Sequence, residues 1–399
     1  MQPKDNIFIS RIDKLHSRMC FVLVLSLVLQ GFLNHLQIFG QPIWIWIIAS
    51  FLPFIRRYAN FIFNLNNLSL KNVYIYLFIL CFSLALVNTY NSQEIRRVLS
   101  LLSGIVVATI IFYGFRKNIT SFIKLIIFVF IIQSVFSIMQ FFFDLQFFDG
   151  FQRGIEECGV TIFDCTWIAS DKGSSGTFGY PVPYGYFIAT FVPILYPYIL
   201  PAFQNPSSRS INFKFLILLI IFGCLLSMQR GAILTSLISI VLMNIFLLKP
   251  RFNMIILPLT ILIPFVIFQF IGTDKVFFSW DLLTNRFNDQ FYWFDTGEFS
   301  AHMYMLNIFS KFGLLGIFFI IIFYLILIKL LKNHLKYNNT TLPKGVIFGS
   351  ILSIISYQLN ALFHNNGHFL LDVVGFLSIG YFFALTYFIF ENKDAVHES

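Results

Sequence analysis

The sequence has few charged residues, which excludes a protein that folds in water as a globular domain. Only 11% of its 399 residues are Asp, Glu, Lys or Arg, whereas soluble domains carry about 25%. Hydrophobic residues make up 58%, and the mean hydropathy is +0.79. Apolar runs of the roughly 20 residues needed to cross a bilayer recur from end to end. The composition therefore indicates an integral membrane protein with no large soluble domain.

Several functional motifs are also missing from the sequence. It contains neither a Walker phosphate-binding motif nor a dinucleotide-binding glycine fingerprint, so ATP-driven chemistry is not expected. No internal repeat is visible, which argues against a secondary transporter, because such folds commonly carry repeats. The apolar run 19–39 is too long for a signal peptide and no small-residue cleavage site follows it. We expect this run to be the first transmembrane helix.

The apolar runs predict an all-α polytopic membrane protein, with residues 1–399 forming a single integral membrane domain. Segment 42–55 is short and follows Gly40 and Gln41, so a re-entrant segment is the alternative there. Two longer loops are expected on one side, at about 144–177 and about 273–302. About twelve transmembrane helices are predicted near 19–39, 42–55, 73–90, 98–115, 121–143, 178–200, 211–228, 231–248, 252–272, 303–331, 345–363 and 369–390.

The basic residues predict the orientation of these helices. With the N-terminus inside, 19 of the 27 basic residues lie on the cytoplasmic side and 13 of the 18 acidic residues lie outside. This bias sets topology, so we expect both termini in the cytoplasm and both long loops in the periplasm. The net charge of +9 is then a topology signal and does not indicate nucleic-acid binding. Cys158 and Cys165 in the first long loop form either a disulfide or two unpaired thiols.

Polar residues that hydrophobicity does not explain fall on the outer side. Arg230 lies in a tight turn between two apolar spans, where it either extends its head group to the interface or holds a phosphate. Arg286 in the second long loop either forms a surface salt bridge or, with nearby aromatics, contacts a sugar. His302 begins a span, where a histidine is either an interface residue or a proton-transfer group.

Two further segments extend this polar set. His364 and His368 lie in a short outer turn that contains Gly and Asn but no carboxylate. We expect them to line a polar site or cap the turn, and not to bind a metal. The segment around Tyr184 opens the sixth span, in which prolines recur at four-residue spacing. That helix should kink, and kinked helices are tolerated where they line a cavity.

Together these segments resemble the superfamily of O-antigen polymerases and O-antigen ligases, which are bacterial envelope glycosyltransferases. The order and spacing of the motifs agree with the family, and the hydrophobic architecture covers nearly the whole chain. Each motif is short, so the resemblance depends on their order and on topology. The matching residues are Gly176-Thr177-Phe178, Gln229-Arg230-Gly231-Ala232, Arg286 with Trp293 downstream, and His302 with the Gly313–Gly316 helix.

In that family, a sugar chain on an undecaprenyl-diphosphate carrier is transferred to an acceptor at the periplasmic face of the inner membrane. The resemblance implies inverting transfer without metal or cofactor, in which Arg230 and Arg286 hold the diphosphate and His302 helps to activate the acceptor hydroxyl. The expected partners are the lipid-linked oligosaccharide donor and acceptor, the bilayer and a chain-length regulator protein. Further candidate substrate-binding residues are Gln229, Trp293, Tyr184, His364 and His368.

Two departures from the ligase pattern favour a polymerase. Met303 follows the histidine where ligases commonly carry a small polar residue, and Gly316 stands where they often carry threonine. We therefore expect a polymerase that joins repeat units of O-antigen or capsular polysaccharide. One alternative is an O-antigen ligase or protein O-oligosaccharyltransferase of the same superfamily. Another, from a different class, is a lipid-linked oligosaccharide flippase or transporter, which should place charges near mid-membrane.

Overall fold

The computed structural model describes most of the helical parts of this chain. The described residues are almost entirely helical, apart from two strands of two residues each that pair antiparallel. They are 3–29, 33, 37–38, 41–87, 92–142, 176–178, 181–199, 213–227, 229–247, 304–335, 344–361 and 373–397. The predicted span 252–272 lies outside them.

The elements follow the apolar runs of the sequence. In the first part of the chain they are α1 (Pro3–Val28), β1 (Gln37–Ile38), β2 (Gln41–Pro42), α2 (Ile43–Ala49), a 3-10 turn (Leu52–Phe54), α3 (Ile55–Phe63), α4 (Leu68–Val87), α5 (Ser92–Phe115) and α6 (Ile119–Phe142). In the second part they are α7 (Pro181–Ile199), α8 (Phe213–Leu226), α9 (Arg230–Leu247), α10 (Tyr304–Leu335), α11 (Lys344–Ala361) and α12 (Val373–His397).

Three of these helices contain segments long and apolar enough to cross a membrane. They are α6 over Ile119–Gln140, α10 over Leu314–Lys332 and α12 over Val374–Glu391. Shorter apolar segments lie in α4, α5, α9 and α11. The predicted helical character is confirmed for the described residues, and the presence of helices that could span a membrane is consistent with a membrane protein. The count of about twelve spans stays a prediction.

The helix predicted over 42–55 is interrupted in the structure. Helix α2 has seven residues and is therefore about 10 Å long, a third of the roughly 30 Å hydrocarbon core. The chain turns at Ser50 and Phe51, and Pro53 lies in the first turn of the 3-10 helix. The indole Nε1 of Trp46 donates a hydrogen bond to the carbonyl oxygen of Ile38 (3.0 Å), which ties α2 to the strand pair. Segment 42–55 is thus not one continuous transmembrane helix.

The chain divides into two compact units. The first comprises Met1–Val129 and Phe369–Ser399 and the second comprises Phe130–His368. In the first unit, α5 and α12 cross closely at two glycines. A Cβ on Gly104 would lie inside the ring of Phe376, and one on Gly380 would come within 2.8 Å of the carbonyl oxygen of Ala108. Close approach of two helices at small residues is the usual way that membrane helices gain packing contact.

Helix α7 forms the core of the second unit. Its residues 184–191 are all buried, and it packs against α9 and α11. At one crossing, a Cβ on Gly349 of α11 would lie 2.2 Å from the carbonyl oxygen of Pro193. That carbonyl has no donor at the usual helical position, because Pro197 lacks an N–H. The proline spacing noted in the sequence therefore lies where α7 meets a neighbouring helix.

Candidate functional site

Two glutamines of α6 hold the chain segment that leads into α7. The side-chain amide of Gln140 donates to the carbonyl oxygen of Gly176 and accepts from its backbone N–H, both at 3.0 Å. The Oε1 of Gln133 accepts from the backbone N–H of Thr177 at 2.8 Å, and its Nε2 donates to the Thr177 hydroxyl. All of these groups are buried. We call these four hydrogen bonds the glutamine clamp.

The sequence explains both sides of the glutamine clamp, the two glutamines and the segment that they hold. Gln133 and Gln140 are seven residues apart, which places them two turns apart on one face of a helix. Gly176 has a φ of +56°, a conformation that costs a residue with a side chain roughly 1–2 kcal/mol. A Cβ at Gly176 would also lie 1.9 Å from the Oε1 of Gln133. Glycine is therefore required here for both backbone and space, and Phe178 continues into a stacked contact with Tyr184 (6.2 Å between ring centroids).

The beginning of α9 lies against α7 one residue after Tyr184. A Cβ on Gly185 would come within 3.0 Å of the Cβ and Cγ of Gln229, whose side chain is buried. Gln229 is the residue before α9, its carbonyl oxygen accepts from the N–H of Ile233 (3.0 Å), and its own N–H donates to the Ser227 hydroxyl (3.3 Å). This fixes the turn in which Arg230 becomes the first residue of the helix.

A group of hydroxyls lies beside this contact. Tyr184, Ser134 and Ser137 are fully buried, and the two serines of α6 lie next to the Tyr184 hydroxyl. None of the three hydroxyl oxygens has a hydrogen bond of ordinary geometry to a protein group. Helix α8 closes the group, because Gly223 lies directly against Ser134. Buried hydroxyls are costly in a core of low dielectric constant unless they find partners, which makes this group a polar point inside an apolar core.

The arrangement offers hydrogen-bond donors and a positive helix end within one part of the second unit. The first turn of any α-helix has N–H groups without intrahelical acceptors, and at α9 they belong to Arg230, Gly231 and Ala232. A helix N-terminus of this kind favours an anionic group. Among the described residues, no three His, Cys, Asp or Glu side chains come together as metal ligands would.

No family model and no curated protein matches the chain.

The structure brings together two of the sequence motifs. Tyr184 and Gln229, both expected to bind substrate, lie on neighbouring elements, and the Gly176–Phe178 segment lies beside Tyr184. Arg230 begins α9, and its side chain lies outside the described part of the chain. The remaining predicted site residues lie outside the described residues, and their roles stay predictions. They are Arg286, Trp293, His302, His364, His368, Cys158 and Cys165.

Sequence reasoning missed Gln133, Gln140, Ser134 and Ser137. They lie inside an apolar run that was assigned to the membrane as a whole, and isolated amides do not lower its hydropathy enough to mark a site. A signal was present, because two glutamines seven residues apart share one helix face and must find partners when buried. Their partners lie 36 and 44 residues further along the chain, which a local pattern does not reveal.

Proposed function

We propose that this protein is a membrane glycosyltransferase that polymerises oligosaccharide repeat units carried on undecaprenyl diphosphate. In this proposal about twelve segments cross the bacterial inner membrane, with 42–55 as an interrupted crossing; both termini are cytoplasmic, and transfer occurs at the periplasmic face. One observation supports it most. The Gly176–Phe178 segment and the Gln229–Arg230 turn, 51 residues or more apart in sequence, flank the same stretch of α7 around Tyr184 and Gly185.

The geometry suits a diphosphate leaving group. Transfer of a glycan from a diphosphate carrier breaks the bond between the anomeric carbon and a phosphate oxygen, so negative charge develops on the diphosphate. The positive N-terminus of α9 and the Arg230 guanidinium would stabilise that charge without a proton. Arg286 is the proposed second arginine that holds the diphosphate, and His302 is the proposed group that activates the acceptor hydroxyl.

Contacts within the first unit join segments that the proposed topology puts on the same side of the membrane. The imidazole of His16 has ring-centroid distances of 5.6 Å to Phe51, 5.0 Å to Phe54 and 5.0 Å to Tyr113. These contacts gather three chain segments that were assigned to the cytoplasmic side from their Lys and Arg content. The residues adjacent to them include Arg18, Arg56, Arg57 and Arg116.

The surface glycans of a deletion strain test the activity. We expect lipid A-core carrying a single repeat unit, with the longer bands restored by the intact gene. Loss of every glycan-bearing band, together with accumulation of undecaprenyl-linked polymer, would indicate a ligase instead of a polymerase. Accumulation of undecaprenyl-linked single repeat units, with no glycan on lipid A-core, would point to a flippase instead.

A further inference from the structure

Two arginines of the first unit, Arg57 and Arg116, lie near enough to His16 and its aromatic neighbours to act on the imidazole. The guanidinium carbon of Arg116 lies 3.6 Å from the ring centroid of Tyr113 and 4.9 Å from that of Phe61. One of its N–H groups also donates to the carbonyl oxygen of Tyr113, at the end of α5. The stacking and this hydrogen bond hold the guanidinium plane in place and leave most of its donors for another partner.

The second arginine, Arg57, lies on α3, the helix that carries Phe61. Arg57 precedes Phe61 by four residues on α3, and residues at this spacing are neighbours on one face of a helix. Burial and the positive charges of Arg116 and Arg57 lower the pKa of His16 to about 4. His16 is therefore neutral at pH 7, and its Nε2 lies 2.6 Å from the Tyr58 hydroxyl. A neutral imidazole does not compensate the positive charges of Arg57 and Arg116.

The surrounding chain is strongly basic. Residues 14–143 contain ten basic residues and a single acidic one, Glu94. Among the acidic side chains that the structure describes in this unit, Glu391 of α12 is exposed and accepts a hydrogen bond from the Tyr387 hydroxyl at 2.7 Å. Guanidinium groups on α3 and at the end of α5, two helices in contact, favour a bound anion with several acceptor oxygens, and they suit phosphate in particular.

The surface beside the arginine pair is apolar. Leu52, Ile55 and Phe63 of the 3-10 turn and α3 are 61%, 52% and 68% exposed. Exposed Arg56 lies next to them. A short helix that combines arginines with exposed apolar side chains is typical of a segment that lies in the membrane interface. The anion that reaches such a surface comes from the lipid.

We propose that Arg57 and Arg116 form a binding site for the phosphate group of an anionic phospholipid, with its acyl chains along Leu52, Ile55 and Phe63. The site does not depend on the proposed glycan polymerisation. It would fix the short helix α3 to the bilayer surface. Cation-π stacking makes Arg116 the preorganised half of the site and Arg57 the adjustable half.

The test is lipid binding by the purified full-length chain in a non-ionic detergent, followed by native mass spectrometry. The probes are dioleoyl phosphatidylglycerol and, with the same chains, dioleoyl phosphatidylcholine. We expect phosphatidylglycerol to bind at least tenfold more tightly, and Arg57→Gln and Arg116→Gln each to weaken it about tenfold, as loss of a charged hydrogen bond does. Phosphatidylcholine binding should not change.

Lys117→Gln is the matched control, because Lys117 is an exposed cation adjacent to Arg116 and should change the affinity less than twofold. An equal loss in Lys117→Gln would mean diffuse attraction and overturn the site, as would equal binding of the two lipids. Inorganic phosphate at millimolar concentration should not displace phosphatidylglycerol, and full displacement would overturn the lipid in favour of free phosphate. Arg57→Gln keeps the test valid if Arg116→Gln fails to fold, because Arg57, unlike Arg116, stacks on no ring in the described part of the chain.

Discussion

At the scale of single residues, Arg230 combines a permanent charge with a position at the first turn of α9. A guanidinium can bind two oxygens of one phosphate with two parallel N–H groups, whereas an ammonium acts as a point charge. The helix end behind it contributes a further partial positive charge. The role proposed for Arg230 thus depends on the shape of its head group as well as its charge.

Arg230→Ala should abolish glycan polymerisation, and Arg230→Lys should leave only weak activity, because the bidentate contact is lost in both. The measurement is the surface-glycan ladder, with protein levels in the membrane determined in parallel. Arg18→Ala, at an exposed arginine of the first unit, is the control and should keep the full ladder. A full ladder in Arg230→Ala would mean that Arg230 does not hold the diphosphate.

His16 predicts how the stability of the first unit depends on pH. Its pKa is about 4 in the folded protein, because of burial and the charges of Arg116 and Arg57, and 6.5 when unperturbed. Between these values the unfolded chain binds a proton that the folded chain does not, so acidification favours unfolding. From pH 7.5 to 5 the loss attributable to His16 should be about 2 kcal/mol, with no change above pH 7.5.

The comparison is between the wild type and His16→Gln, with the free energy of unfolding measured in detergent at both pH values. The wild type should lose more stability than the variant on acidification, whatever their difference at pH 7.5. Parallel pH dependence in the two proteins would contradict the low pKa of His16.

At the scale of elements, the glutamine clamp links α6 to the beginning of α7. Each buried hydrogen bond contributes about 0.5–1.5 kcal/mol net. Losing one partner costs more, because a polar group is then left unpaired in a medium of low dielectric constant. The clamp therefore fixes how the chain enters α7, and with it the position of Tyr184 relative to the Gln229 turn.

Gly176→Ala should break the clamp, because its Cβ would lie 1.9 Å from the Oε1 of Gln133 and its φ is +56°. The double variant Gly176→Ala/Gln133→Ala removes the clash but keeps the backbone strain, roughly 1–2 kcal/mol. The thermal unfolding midpoints of both purified variants should therefore lie below that of the wild type. The alanine variant Leu359→Ala, at an exposed position of α11, should change the midpoint little. A Gly176→Ala protein as stable as Leu359→Ala would contradict the clamp.

Helix positions could largely be predicted from the sequence. The run expected at 231–248 forms α9 (Arg230–Leu247), and the run at 345–363 forms α11 (Lys344–Ala361). Helices α1 and α12 extend beyond the apolar runs at their polar ends, because hydropathy detects the lipid-compatible part of a helix only. The predicted helix 19–39 was wrong at its other end, since α1 ends at Val28 and strand β1 (Gln37–Ile38) lies within the predicted range. The break in 42–55 was not predicted as such, since Pro53 in a short apolar run fits either a span or a turn.

Only the residues of the candidate site that belong to short, local sequence motifs could be predicted. Gln229 and Tyr184 were selected from their neighbours in sequence, and the structure places them on adjacent elements. Gln133 and Gln140 were missed because their partners are backbone groups of Gly176 and Thr177, and a backbone carries no sequence signature. The importance of such a pair follows from burial, and burial within a helical bundle depends on which helices become neighbours.

At the scale of the whole molecule, the proposed topology makes every loop testable. Fusions to a fluorescent protein that matures in the cytoplasm should be bright after residues 118 and 337, and dim after residues 160 and 290. Alkaline phosphatase fusions at the same four positions should show the opposite pattern. The reason is that Lys and Arg concentrate in the loops around 118 and 337. A bright fusion at 290 would reverse the side assigned to the second long loop and to His302.

The freed carbonyl of Pro193 has a consequence for how the chain is made. Its neighbour Gly349 is synthesised 156 residues later, which at about 5–20 residues per second means a delay of roughly 8–30 s. During that delay α7 has left the ribosome but lacks the helix that covers it. Nascent chains that end before α11 should therefore be held by insertion factors or degraded, and a slow stretch of codons between these points would prolong their exposure to membrane proteases.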